Sequence, residues 1–399
     1  MRKICLVIVG LYIGLLHAFS QAVDSSAYKK RKLSVDEINI LSSYYSQDGN
    51  NSAVTGGTGT EELKDYSLYA ELKMHKYDHL NRKRTWNINL GVDYYTSASS
   101  DKINPATISS ASSEDLHVYP SAEYIVENET KKRKLHFELS TSIESDYFSV
   151  GFGTGITKTS KDNNKEFSIK ARCYADQVKI ILPYEFRTPE TGGLDNYPNE
   201  HDYPWSPRTS ASLLFSYSRI MNRRLQMLFS AEPAAQFGFL SMPFHRVYFK
   251  EGAEGTELLP SSRLKLPIGA RANYFIGNKI ILRSFYRFYY DGWGLAAHTA
   301  DLETVFKLNA FFSISPFYRF YIQNGINYFA PYQQHTAADK FYSSNYDLSP
   351  FNSHFFGTGI RITPLKKFPG ITQMELRYGH YERSNALQSD VVSVLVKLK

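Results

Sequence analysis

Cysteine is almost missing from this chain: among 399 residues there are two, Cys5 and Cys173. Beyond residue 22 only Cys173 remains, so no disulfide framework can support a chain that begins there. Cys173 shares the apolar parity of its segment with Ala171 and Ala175, which suits a lipid-facing or packed small residue rather than a nucleophile. Long apolar runs are lacking too. After the N-terminus nothing approaches the roughly 18 apolar residues of a spanning helix, and the mean hydropathy is −0.37.

Metal spacing is absent, with no histidine pair four apart on a helix and no cysteine cluster. Asp195, Asn196, Glu200 and Asp202 offer oxygen ligands of the kind Ca²⁺ takes. They follow no calcium-loop pattern and read as a polar surface loop. No Ser, His and acidic set stands out at a spacing that suggests acyl transfer; His136, Ser140 and Ser142 share one parity and read as polar lining. Gly151-Phe152-Gly153-Thr154-Gly155 lies inside an alternating segment and has the wrong spacing for a dinucleotide fingerprint. It fits small residues that keep an interior open, or a bend in a sheet. The net charge of +7 is spread along the chain instead of being gathered on one helix or arm, so no nucleic-acid partner is expected. No enzyme activity, catalytic residue, cofactor or metal is expected either.

Aromatic residues are plentiful, with 30 Tyr and 26 Phe. So is strict alternation. In 263–276, Leu264, Leu266, Ile268, Ala270, Ala272, Tyr274 and Ile276 share one parity, against Arg263, Lys265, Gly269, Arg271 and Asn273 on the other. In 279–291, Ile280, Leu282, Tyr286, Phe288 and Tyr290 oppose Lys279, Arg283, Arg287 and Asp291. Successive side chains of a strand point to opposite faces, so each arm has an oily and a charged face. Gly277-Asn278 suits a two-residue hairpin turn. The arms are about twice the usual length of five or six residues, which is what a tilted strand needs to cross a bilayer.

The same alternation recurs to Val391–Lys399. Short polar turns fall near 78–83, 128–133, 159–164, 221–223, 277–278, 308–309 and 364–370. Longer links fall near 47–61, 97–113, 145–147, 188–207, 236–262, 292–294, 323–352 and 384–390. This asymmetry predicts an all-β, antiparallel, up-and-down transmembrane barrel with short periplasmic turns and long extracellular loops. Counting between links gives about sixteen strands, within a range of roughly 14 to 18, with 145–147 and 178–187 the ambiguous stretches. Arg2 and Lys3, the apolar Ile4–Leu16 and Ser20-Gln21-Ala22 read as a signal peptide over 1–22. The barrel then spans 23–399, with 24–34 a periplasmic lead-in, and the localisation is the cell outer membrane.

Residues 35–63, VDEINILSSYYSQDGNNSAVTGGTGTEEL, resemble the opening of a bacterial outer-membrane family of unknown function, domain-of-unknown-function family 3570. NLGVDYYTSASSDKI at 89–103, SSAS at 109–112 and KEFSIKARCYADQVKIILPYEFR at 165–187 resemble it as well. The resemblance implies an outer-membrane barrel and brings no activity or site residue. The chain departs from the usual aromatic ending, finishing Leu398-Lys399. Within 47–61 the run Thr55-Gly56-Gly57-Thr58-Gly59-Thr60 can form an anion nest, an extracellular loop, or a segment that folds inward to narrow a pore.

The parity that faces the barrel interior carries the functional expectation. Arg263, Lys265, Arg271, Lys279, Arg283, Arg287, Arg319, Arg361 and Arg377 form a cationic wall. Asp93, Glu138, Glu144, Glu166 and Glu232 form a more acidic one opposite. Such walls orient and select polar solutes, or pair across the interior and stiffen it. Two functions of different class follow. One is a porin-like channel for small polar solutes with a mild anion preference. The other is a closed barrel that anchors a periplasmic or surface protein, or a glycan, through aromatic-rich loops. A barrel enzyme ranks last. Outer-membrane lipid and lipopolysaccharide are the expected surroundings.

Overall fold

The computed structural model describes residues 32–96, 114–187, 203–364 and 370–399. Sixteen antiparallel strands form one closed ring. They are β1 (Ser34–Asp48), β2 (Leu63–Tyr77), β3 (Lys83–Thr96), β4 (Glu114–Asn128), β5 (Arg133–Ile143), β6 (Tyr147–Thr159), β7 (Lys165–Lys179) and β8 (Trp205–Asn222). The ninth strand, β9, comes in two pieces, Leu225–Ala231 and Ala234–Gly238. The ring continues with β10 (Ser262–Ile276), β11 (Ile280–Asp291), β12 (Ala296–Lys307), β13 (Phe312–Asn324), β14 (Pro350–Ile362), β15 (Ile371–Arg383) and β16 (Gln388–Leu398). β16 pairs with β1 from Ile38↔Leu398 to Asp48↔Gln388, which closes the barrel and leaves no free edge.

The break in β9 falls at Glu232-Pro233. Proline has no N–H to give to the ladder, yet the register on both sides is unchanged. The neighbours still use the carbonyl of Pro233 and the N–H of Glu232: Leu213 donates to Pro233 at 3.0 Å, and Glu232 donates to Pro267 at 3.0 Å.

Burial is inverted relative to a soluble domain. Leu264, Ile268 and Ile276 are exposed, with Leu264 at 63%, while Ser149, Thr157, Ser168, Ser315 and Ser353 are buried. An apolar exterior over a polar interior is the pattern of a barrel that sits in lipid. Cys173 lies on the outer face and is exposed, as its parity indicated. One end of the barrel carries short turns and the other long loops. The 144–146 link is a true turn between β5 and β6. The 178–187 stretch ends β7 at Lys179 and then forms a short 3-10 turn at Tyr184–Phe186.

One turn differs from expectation. Ile276 pairs with Ile280, so the β10–β11 connection has three residues and includes Lys279. Within the Gly277-Asn278 pair only the glycine has positive φ, at 60°, so the type I′ form of the two-residue turn, which needs it at both positions, is not the one adopted. Residues 1–22, 24–31, most of the 188–207 link including Asp195–Asp202, and 97–113 lie outside the described residues.

Candidate functional site

The inward faces of β10 to β15 hold most of the expected cationic wall, but their neighbours neutralise much of it. Arg283 donates to Glu303 at 2.7 Å and Arg319 to Asp301 at 2.9 Å, each directly across a strand pair. Arg361 donates to Glu375 at 3.0 Å, again across a pair. Arg377 reaches both Glu303 at 3.0 Å and Glu375 at 3.1 Å. Arg263 is tied to Asp291 and lies 4.1 Å from the centre of the Trp293 ring. Asp291 also accepts from the Tyr289 hydroxyl and from the backbone N–H of Trp293 and Leu295. Asp291 is therefore a buried clamp on the β11–β12 loop, and Arg263 serves that clamp.

Lys279 is exposed in its turn and is not part of the wall. The three-residue turn takes it out of the strand. Lys265, Arg271 and Arg287 remain. None of them has a carboxylate partner among the described residues. They follow one another along β10 and β11, with Gly269 facing Arg287 and Arg271 facing Phe285.

The acids expected opposite do not form one wall. Glu138 accepts from Arg172 at 3.0 Å. Asp93 lies 3.5 Å from His117 and accepts from the Tyr119 hydroxyl at 3.1 Å. Glu232 accepts from Ser212 at 3.0 Å, and Glu166 from Thr159 at 3.3 Å. Glu144 sits beyond the end of β5, where it accepts from the Tyr95 hydroxyl at 3.0 Å. There the carboxylate oxygens of Asp115, Glu144 and Asp146 gather within 4.8 Å of one another. Burial, then Glu144 and Asp115, push the Asp146 carboxyl up to about 6.

The lumen wall stays thin where glycine lets a neighbouring ring lie flat. A Cβ on Gly91 would come within 2.0 Å of the Tyr119 ring, and one on Gly151 within 2.5 Å of Tyr174. Gly151 therefore belongs to the packing of the wall and not to a nucleotide loop.

The long loops interlock over the mouth. The first loop (49–62) and the fifth (239–261) start from opposite sides of the ring, yet they meet. Arg246, in a small hairpin formed by Arg246–Tyr248 and Glu254–Thr256, donates from Nη1 to the Val54 carbonyl at 2.8 Å. Its Nε and Nη2 bind both oxygens of Glu185 from the fourth loop, at 2.5 and 3.1 Å. Burial pushes the Glu185 carboxyl up, but the Arg246 hydrogen bonds outweigh this and hold it below the usual carboxylate range. The fifth loop joins the seventh (325–349) through Leu258 and Tyr342, which exchange backbone hydrogen bonds at 3.0 and 2.8 Å. Ser343 donates to Glu257 at 2.6 Å. Leu259, Trp293, Leu295, Ala297 and Ile326 form the apolar core of this cap.

The Gly/Thr-rich run has a place here. Three of its N–H groups are used within the loop: Thr55 and Gly57 donate to Ser52 at 3.3 and 2.8 Å, and Gly56 to Ala53 at 3.2 Å. Those three N–H groups are therefore not open to an anion. Gly56 and Gly57 have positive φ, 78° and 87°, and a Cβ on either would come within 2.5 Å of the Tyr248 ring or 2.8 Å of the Ser344 carbonyl. The run is the docking tip of the first loop. Sequence reasoning missed Glu185, Arg246, Asp301, Glu303 and Glu375; for the last three, cross-strand register was the available signal.

Comparison with solved structures finds distant likenesses. The "Bacterial polysaccharide outer membrane secretin" is 10% identical over 91% of this chain and 98% of its own, with a TM-score of 0.44. "Pseudomonas aeruginosa OccK7 (OpdD)" is 9% identical over 91% and 97%, with a TM-score of 0.44. "Pseudomonas aeruginosa OpdQ" is 8% identical over 92% and 98%, with a TM-score of 0.43. Likenesses this remote carry no information about a solute. No curated protein matches the chain. A family model does match it over residues 119–395, more than half its length, so the chain belongs to the family described as "Protein of unknown function (DUF3570)".

Proposed function

We propose that this protein is a porin-like channel of the outer membrane that passes small polar solutes and mildly favours anions. The carrying observation is that Arg271, Arg287 and Arg319 point into the barrel and are nevertheless exposed, so the interior holds accessible polar space. Lys265, Arg271 and Arg287 supply the charge that favours anions, because no carboxylate among the described residues neutralises them. Positive side chains along a pore lower the barrier for negative solutes. In this reading residues 1–22 direct export, the short turns face the periplasm, the looped end faces outward among lipopolysaccharide, and the barrel performs no chemistry. The loop cap controls entry.

A second reading has its own observation. Loops from opposite sides of the ring interlock, which also suits a closed barrel that anchors a protein or glycan partner. Solute flux into liposomes separates the two. Folded wild-type protein should admit small sugars and small anions, and Arg246→Ala should admit them faster. A folded barrel that admits neither, with or without that substitution, would exclude the channel and leave the anchor.

A further inference from the structure

We propose that the lumen contains a binding site for a small monocarboxylate carried on a flat apolar ring; the site relies on the channel reading only for its route of access. A cavity of about 620 Å³ lies where β10 to β16 face inward, a size that suits a small ligand. Its floor is aromatic. Phe317 and Phe355 lie with ring centres 5.1 Å apart, tilted by 54°.

The two rings lie close against the wall because Gly357 and Gly379 face each other in register beneath them. A Cβ on Gly379 would come within 2.6 Å of the Phe355 ring, and one on Gly357 within 2.9 Å of the tip of Phe317.

The rim is built from arginines stacked on these rings. Arg319 lies 5.8 Å from the centre of Phe355, and Arg377 lies 5.0 Å from that of Phe317. Both are held by carboxylates, Arg319 by Asp301 and Arg377 by Glu303 and Glu375, the last two shared with Arg283 and Arg361. Arg271 differs. It lies 5.4 Å from the centre of the Phe285 ring and has no carboxylate partner among the described residues. The cavity thus offers one unmet guanidinium beside an apolar floor.

That pairing defines the ligand. A guanidinium takes a carboxylate through two parallel hydrogen bonds, and aromatic rings pack on aromatic rings. A second negative charge on the ligand would meet Asp301 and Glu303. A neutral ring would leave Arg271 unmet, and a short carboxylate would leave the floor bare.

Isothermal titration of the purified, folded, full chain in detergent micelles tests the site. Benzoate should bind, and acetate and benzyl alcohol should bind about tenfold more weakly or less. Arg271→Gln should weaken benzoate about tenfold, whereas Lys279→Gln, a charge change in the exposed turn, should leave it unaltered. Phe355→Leu keeps the volume apolar but removes a flat ring, and should weaken benzoate more than acetate. Each variant is first shown to be folded by its heat-modifiable migration. Equal affinity for benzoate and acetate, an equal effect of the Arg271 and Lys279 substitutions, or no benzoate binding by folded protein would overturn the proposal. Since the measurement involves no transport, a barrel that binds benzoate but conducts nothing would count against the channel alone.

Discussion

Arg246 is where three loops depend on one side chain. Its guanidinium is nearly buried, at 9% exposure, and spans Glu185 and the Val54 carbonyl. Arg246→Ala leaves the Val54 carbonyl without this donor and Glu185 without its counter-ion. Glu185 is 38% exposed, so water recovers part of that loss. The expected cost to the cap is about 1–3 kcal/mol, read as faster amide exchange at residues 52–59 with no change in the strands. Asp146 makes a prediction in pH. Its carboxyl is pushed up to about 6, above the ordinary aspartate value of 3.8. The folded state thus holds the proton over a range where the unfolded state has lost it. Stability from this group is complete below the lower value and falls as pH rises through about 6. Urea-unfolding midpoints in micelles should therefore decline across that window, and Asp146→Asn should flatten the decline; an unchanged slope would contradict the assignment.

At the scale of elements, the strands were legible and the loops were not. Alternation of the kind seen in 263–276 depends on which face meets lipid, a local property of each segment. It located the short turns and gave the strand number. Register carried more than was drawn from it. Once the turn after β12 is placed, Asp301 must face Arg319, and likewise Glu375 must face Arg361. The loops could not be read this way, because their shape comes from contacts between remote segments. Val54 and Arg246 are 192 positions apart, and nothing near either one announces the other. The first loop gives the test. Gly57→Ala adds a Cβ 2.8 Å from the Ser344 carbonyl at a residue whose φ is 87°. The positive φ alone costs on the order of 1 kcal/mol, and the contact adds to it. Limited proteolysis should then cut the first loop at a rate the wild type does not show, while the barrel keeps its heat-modifiable band. Equal cutting of both would mean the loop does not dock through its glycines.

For the whole molecule, the exterior and interior make separate statements. The apolar outer face identifies a lipid-embedded barrel and no more. In the proposed channel, selectivity rests on the few inward cations that the wall does not neutralise. A count of basic residues overstates the field, since Arg283, Arg319, Arg361 and Arg377 share three acids, Asp301, Glu303 and Glu375, which offset most of their charge. The residual charge on Lys265, Arg271 and Arg287 calls for a mild preference rather than strict selection. Reversal potentials measured in planar bilayers under a KCl gradient test this most directly. The expected result is stepwise conductance with chloride favoured over potassium, and a reversal potential that moves toward zero when Lys265, Arg271 and Arg287 are together replaced by Gln. Folded protein that conducts no ions even with Arg246→Ala, or a potential unmoved by removing the three cations, would contradict it.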